Sequence, residues 1–128
     1  MPAVPKTELQ FDVPLIPPSV NHYKNPSRRG GFYRVRECMG FNDAVCVFSK
    51  RELVTGQFYE VELTFYLPPA KFLAFDADNF LKVSFDALKA AGVIRDDRYI
   101  VDHHVHKRAA KDAQDVHTAY LVKGREHV

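Results

Sequence analysis

Asp76 and Asp78 stand one residue apart, Lys82 follows four positions after Asp78, and Asp96 and Asp97 stand side by side where the same stretch ends. Carboxylates gathered from both ends of one helix-and-turn unit repel each other unless a cation sits among them. All-oxygen ligation is what Mg²⁺ prefers, through one or two carboxylates, with phosphate oxygens and water completing the shell. A lysine one helical turn from such carboxylates is positioned to meet a phosphate oxygen or the charge that develops in a transition state. These residue types point to a magnesium-dependent enzyme acting on phosphodiesters.

The element that must carry them is a helix. Asp78 or Asn79 caps its start, and Gly92 is a natural stop after Ala90 and Ala91. Leu81, Phe85 and Leu88 recur at helical spacing and predict the apolar stripe. Asp78, Lys82, Asp86 and Lys89 fall on a second, polar stripe, with Asp78 and Lys82 as neighbours. Asp86 is either a supporting partner of Lys82 or a solvated carboxylate. Asp96 ranks below Asp97, because adjacent residues of an extended segment point to opposite sides.

The 128 residues are expected to form one domain over 1–128, with 1–8 and 124–128 as flexible ends. At 46% hydrophobic and 27% charged, the composition is that of a globular protein and excludes a disordered one. A net charge of +2 is too mild to argue for nucleic acid by itself, so the location of the charges matters more. The longest apolar run, Ala44 to Phe48, is far too short for a membrane span. Cys38 and Cys46 lack zinc-knuckle spacing and the N-terminus lacks an apolar leader, so the expectation is a reduced, cytoplasmic protein.

Leu9 to Ile16 is expected as the first strand, limited by Pro14. From Ser19 to Arg36 the chain carries five basic residues (Lys24, Arg28, Arg29, Arg34 and Arg36) and no acidic ones, interleaved with His22, Tyr23, Phe32 and Tyr33. Basic side chains neutralise phosphates and aromatics stack on exposed bases, so this segment reads as the part that holds a polyanion. Phe32 to Val35 is expected as a short second strand. A helix follows from Arg36 to about Val54, with Phe41, Val45 and Phe48 on one face. Phe58 to Leu67 is the clearest strand, rich in aromatic and branched residues. Phe72 and Phe75 read as loop aromatics packed on the core, with a wedge between bases as the alternative role. Tyr99 to Arg108 and Asp115 to Val122 are expected as strands joined as a hairpin or longer turn through Lys107 to Asp112. The fold class is α+β: about four strands, mixed or antiparallel, with two helices.

The chain resembles the RusA family of Holliday-junction resolvases, common in phages and prophages. Pro17-Pro18-Ser19-Val20-Asn21-His22-Tyr23 carries part of the likeness. More of it rests on Asp76-x-Asp78-Asn79-x-x-Lys82, Phe85-Asp86-Ala87-Leu88, Gly92, Asp96-Asp97 and Ile100-Val101-Asp102. The resemblance implies a homodimeric endonuclease that cuts four-way DNA junctions with Mg²⁺, Mn²⁺ serving as a substitute. It makes Asp76, Asp78 and Asp97 the metal-binding carboxylates and Lys82 the catalytic lysine. Asn79 matches a position near the site. The DNA contacts expected on this reading are Asn21, Tyr23, Lys24, Arg28, Arg29, Arg34, Lys71, Asn79, Lys82 and Lys107. One departure stands out: many relatives carry several arginines just before the aspartates, where this chain has Lys71-Phe72-Leu73-Ala74-Phe75.

Two other functions compete. His104 and His106 share a strand face beside His103 and could hold the zinc of a hydrolase, with His117 as a candidate partner across a hairpin. Without a third ligand at sensible spacing, surface or cross-strand histidines are the better reading. A basic loop on an α+β scaffold could also bind branched DNA without cutting it. The intact Asp76, Asp78, Asp97 and Lys82 set argues against that module.

Overall fold

The computed structural model describes residues 6–18 and 30–128. Within them lie four strands, β1 (Glu8–Val13), β2 (Phe58–Leu67), β3 (Ile100–Ala109) and β4 (His117–Arg125), and two α-helices, α1 (Gly30–Ser49) and α2 (Asp78–Ala90). The strands form one mixed sheet in the order β1-β4-β2-β3, so the fold is α+β. β4 runs antiparallel to both β1 and β2, whereas β3 runs parallel to β2.

Strict alternation explains β2. Tyr59, Val61, Leu63, Phe65 and Leu67 are fully buried, while the residues between them are half-buried. Phe11, Val13, Tyr120 and Val122 extend this apolar face onto β1 and β4. Phe41 and Val45 of α1, with Val83, Ala87 and Leu88 of α2, complete the same core. The buried stripe of α2 is therefore Val83, Ser84, Ala87 and Leu88, continued by Ala91 just past the helix end, and the expected Leu81 and Phe85 are only half-buried at its margins. Ser84 is tolerated there because its hydroxyl donates to the Phe80 carbonyl at 2.8 Å, and its own carbonyl accepts from the Tyr120 hydroxyl at 3.1 Å. Burial pushes the Tyr120 phenol well above its ordinary pKa.

Three expectations change. The proposed strand at Phe32 to Val35 is part of α1, whose helical backbone begins at Gly30; strand propensity is a weak prior that a packed helix overrides. That helix also stops earlier than expected, at Ser49. Lys50 and Arg51 take positive φ angles of 58° and 52°, and the Ser49 hydroxyl accepts the Arg51 N–H at 3.2 Å. Phe48 consequently lies half in water and off the buried face. Finally, β3 and β4 are not a hairpin. β2 lies between them, and Lys107 to Asp112 leads the chain past the end of β2 rather than back onto β3. Turn residues mark where the chain bends, not which strand it joins.

At α2 the start differs from expectation and the stop agrees. Ala77 precedes the helix without a side-chain cap, and Asp78 is its first residue. The carboxylate that accepts the Asp78 N–H, at 3.2 Å, belongs to Asp76. Gly92 follows at φ 76°, the left-handed geometry that ends a helix at low cost when no Cβ is present.

The central position of Leu63 in this core gives a direct test. Leu63→Ala is expected to lower stability by about 2–5 kcal/mol, measured by urea unfolding, whereas the same change at exposed Leu53 should leave it nearly unchanged.

Candidate functional site

Two turns, one at each end of α2, hold the acidic residues singled out in the sequence. The first spans Pro68 to Ala77, between the C-terminal end of β2 and the start of α2. Lys71 N–H donates to the Pro68 carbonyl at 2.9 Å and Phe75 N–H to the Lys71 carbonyl at 3.0 Å. The Phe75 ring stacks on Phe80 at 3.7 Å and tilts against Phe65 at 5.1 Å. From β3, the Lys107 ammonium donates to the carbonyls of Phe72 and Phe75, each at 3.0 Å, and lies 4.9 Å from the Phe72 ring. Hydrogen bonds to an ionised donor are stronger than neutral ones, so Lys107 ties this turn to the sheet.

Asp76 and Asp78 emerge from the tied turn exposed to solvent. They sit at the N-terminus of α2, where the helix dipole favours negative charge. Among the described residues, neither makes a salt bridge. Lys82 lies one turn further on and is exposed; its ammonium is 3.7 Å from Asp86 rather than on Asp78. Lys71 is exposed on the turn itself. The Asn79 side chain, like that of Arg34, lies outside what is described, as do residues Asn21, Tyr23, Lys24, Arg28 and Arg29 in full.

Asp97 occupies the other turn, between α2 and β3. Asp96 there accepts the Arg98 N–H at 3.2 Å and meets Lys89, in the last turn of α2, at 3.4 Å. Arg95, which the sequence reading passed over, fixes the turn. Its guanidinium donates to the Gly56 and Gln57 carbonyls at 2.7 and 2.9 Å and to the Tyr59 hydroxyl at 3.1 Å, and it lies 4.3 Å from the centre of the Tyr99 ring. The hydrogen bond to Tyr59 raises the Arg95 pKa. Only the register of β2 could have revealed this partner.

The two turns are far apart. Thirteen helical residues, at about 1.5 Å each, put roughly 20 Å between them. The register agrees: β3 begins with Ile100 opposite Tyr59 at the start of β2, and its far end carries Lys107 to the Asp76 turn. Within one chain, Asp76 and Asp78 come together and Asp97 does not join them.

A different group does converge. Glu60, Asp102 and His104 bring their ligand atoms within 4.8 Å of one another on the sheet face opposite the helices. His104 also lies 3.6 Å from Asp102, His106 lies 3.7 Å from Glu62, and Arg125 shares Asp102 at 3.6 Å. These contacts are polar cross-strand pairs on a solvent-exposed sheet face, of a kind that contributes little to stability. His104 and His106 share one strand face, as expected, and the other two histidines lie elsewhere. His103 is on the helix side, edge-on to Phe85, and His117 stacks on Tyr66 from β4.

Chain similarity supplies an independent observation. A family model described as endodeoxyribonuclease RusA matches residues 14–117, most of the chain and both turns. No curated protein matches it.

Two outcomes test this geometry. Lys107→Met keeps the aliphatic stem and removes the ammonium; it should cost about 1–3 kcal/mol in urea unfolding and speed tryptic cleavage after Lys71. The second concerns acid. The Arg98 backbone N–H first, and the Lys89 ammonium beside it, hold the Asp96 carboxyl at about 2 against an ordinary 3.8. A depressed carboxylate pKa stabilises the fold above the unfolded value, and this is lost as pH falls toward the folded value. Thermal melts between pH 5 and pH 2 should therefore show a shallower acid decline for Asp96→Asn than for the native chain.

Proposed function

We propose that the chain, which belongs to the RusA endodeoxyribonuclease family, is a magnesium-dependent enzyme that resolves four-way DNA junctions as a homodimer. The observation that carries the reading is the exposed Asp76 and Asp78 pair, held at the N-terminus of α2 by a turn tied to the sheet, with Lys82 one turn along the same helix. The donor set is all oxygen and is not neutralised by a cationic side chain among the described residues, which suits Mg²⁺, with Mn²⁺ as a substitute. Bound there, the ion would activate water and stabilise the leaving 3′-oxygen.

Asp97 belongs to the same site only if a second copy supplies it. A two-fold axis that sets two α2 helices side by side and antiparallel brings the first turn of one chain against the last turn of the other. Each dimer then has two composite sites, each with Asp76, Asp78 and Lys82 from one chain and Asp97 from its partner. Two symmetric sites match a substrate that needs a pair of symmetric nicks.

The remaining roles follow from charge. Lys82 meets a non-bridging phosphate oxygen next to the cut. Asn21, Tyr23, Lys24, Arg28, Arg29, Arg34, Lys71 and Asn79 line the DNA path, the cations answering phosphates and Tyr23 stacking on a base. Lys107 acts beneath them by keeping the carboxylate turn in position. Hydrolysis in this arrangement leaves 5′-phosphate and 3′-hydroxyl ends.

Two substitutions test the proposal. Asp78→Asn should abolish junction cutting while junction binding is kept or tightened; a variant that still cuts would contradict the assignment. Asp78→Asn and Asp97→Asn, each inactive alone, should regain single-strand nicking when mixed, because half of the sites in a mixed dimer are then intact. A mixture as inactive as its components would contradict the composite site.

A further inference from the structure

We propose that Leu73 is a wedge that enters the base stack at the branch point of the junction, beside the strand to be cut. The inference rests on the junction reading above and adds a residue that opens the substrate. Leu73 is 90% exposed, the most exposed large apolar side chain among the described residues. Leaving it in water forgoes the stabilisation that burial would provide.

The turn that presents Leu73 is not free to tuck it away. On one side, Phe72 half-buries its ring beneath the Lys107 ammonium and gives Lys107 its carbonyl. On the other, Phe75 is 7% exposed and stacked on Phe80. The Phe75 N–H bond to the Lys71 carbonyl closes the base of the turn. Both phenylalanines are thus committed to holding the turn, and neither serves as the wedge considered from sequence. Leu73 projects from this rigid base three residues before Asp76, with exposed Lys71 two residues before it.

An aliphatic tip between a phosphate-binding cation and the cutting carboxylates suits one task. Apolar side chains that enter nucleic acid unstack a base step and kink the duplex there. The energetic cost is smallest where stacking is already interrupted, as at the crossover of four arms. Leu73 therefore also contributes selectivity, since an intact duplex resists the same insertion. One exposed leucine beside a half-buried phenylalanine and an alanine is a far smaller apolar surface than a protein partner would need.

The experiment uses the full chain and a four-way junction with 2-aminopurine next to the branch point, with Ca²⁺ replacing Mg²⁺ to suppress cutting. The native chain is expected to raise the fluorescence several-fold. Leu73→Ser should bind the junction and keep the native thermal midpoint, yet lose most of that rise, and Leu73→Phe should restore it. A Leu73→Ser complex with the full native rise would overturn this proposal alone, as would a native complex without any rise. A native chain that does not bind the junction would overturn both this proposal and the function on which it rests.

Discussion

Parallel pairing of β2 with β3 obliges the chain to travel back along the whole length of the sheet before β3 can begin. Helix α2 makes that journey, and everything distinctive about the candidate site follows from it. Its start lies at the end of β2 and its finish at the beginning of β3. Acidic residues in the two connecting turns are close in sequence pattern but separated by the length of the helix. On the function proposed above, a reaction that uses all of them draws on two copies of the chain related by a two-fold axis.

The same crossover gives the site its rigidity. β3 ends beside the turn that leads into α2, so Lys107 can reach the Phe72 and Phe75 carbonyls. At the opposite end, Arg95 ties the turn after α2 to Gly56, Gln57 and the Tyr59 hydroxyl. Each end of α2 is thus fastened to the sheet by one buried or half-buried aromatic cluster and one cation bound to backbone carbonyls. On the function proposed above, a turn whose backbone is already fastened would lower the conformational cost of binding an ion there.

Much of this was legible in the residues. The alternation in Phe58 to Leu67 gave β2 its observed limits, and Gly92 marked the end of α2. The acidic motifs and Lys82 stood out because their spacing is local to one helix. What the sequence did not reveal was long-range. Nothing in Lys107 to Asp112 tells β4 to pair with β2 and β1 rather than with β3, because that choice is made by the apolar faces of the strands already present. Arg95 looked like any surface arginine until the register brought Tyr59 beneath it. Glu60, Asp102 and His104 became neighbours only through the same parallel register. Phe72 and Phe75 pack on the core as loop aromatics are expected to, but the exposure of Leu73 between them could be read only from the turn's geometry.

Cleavage of an end-labelled four-way junction beside a linear duplex of matched sequence, in Mg²⁺ and in EDTA, tests the central claim most directly. The account predicts paired nicks at symmetric positions on the junction, little or no cutting of the duplex, and loss of both nicks in EDTA. Equal cutting of the two substrates, or junction cutting that persists in EDTA, would contradict it.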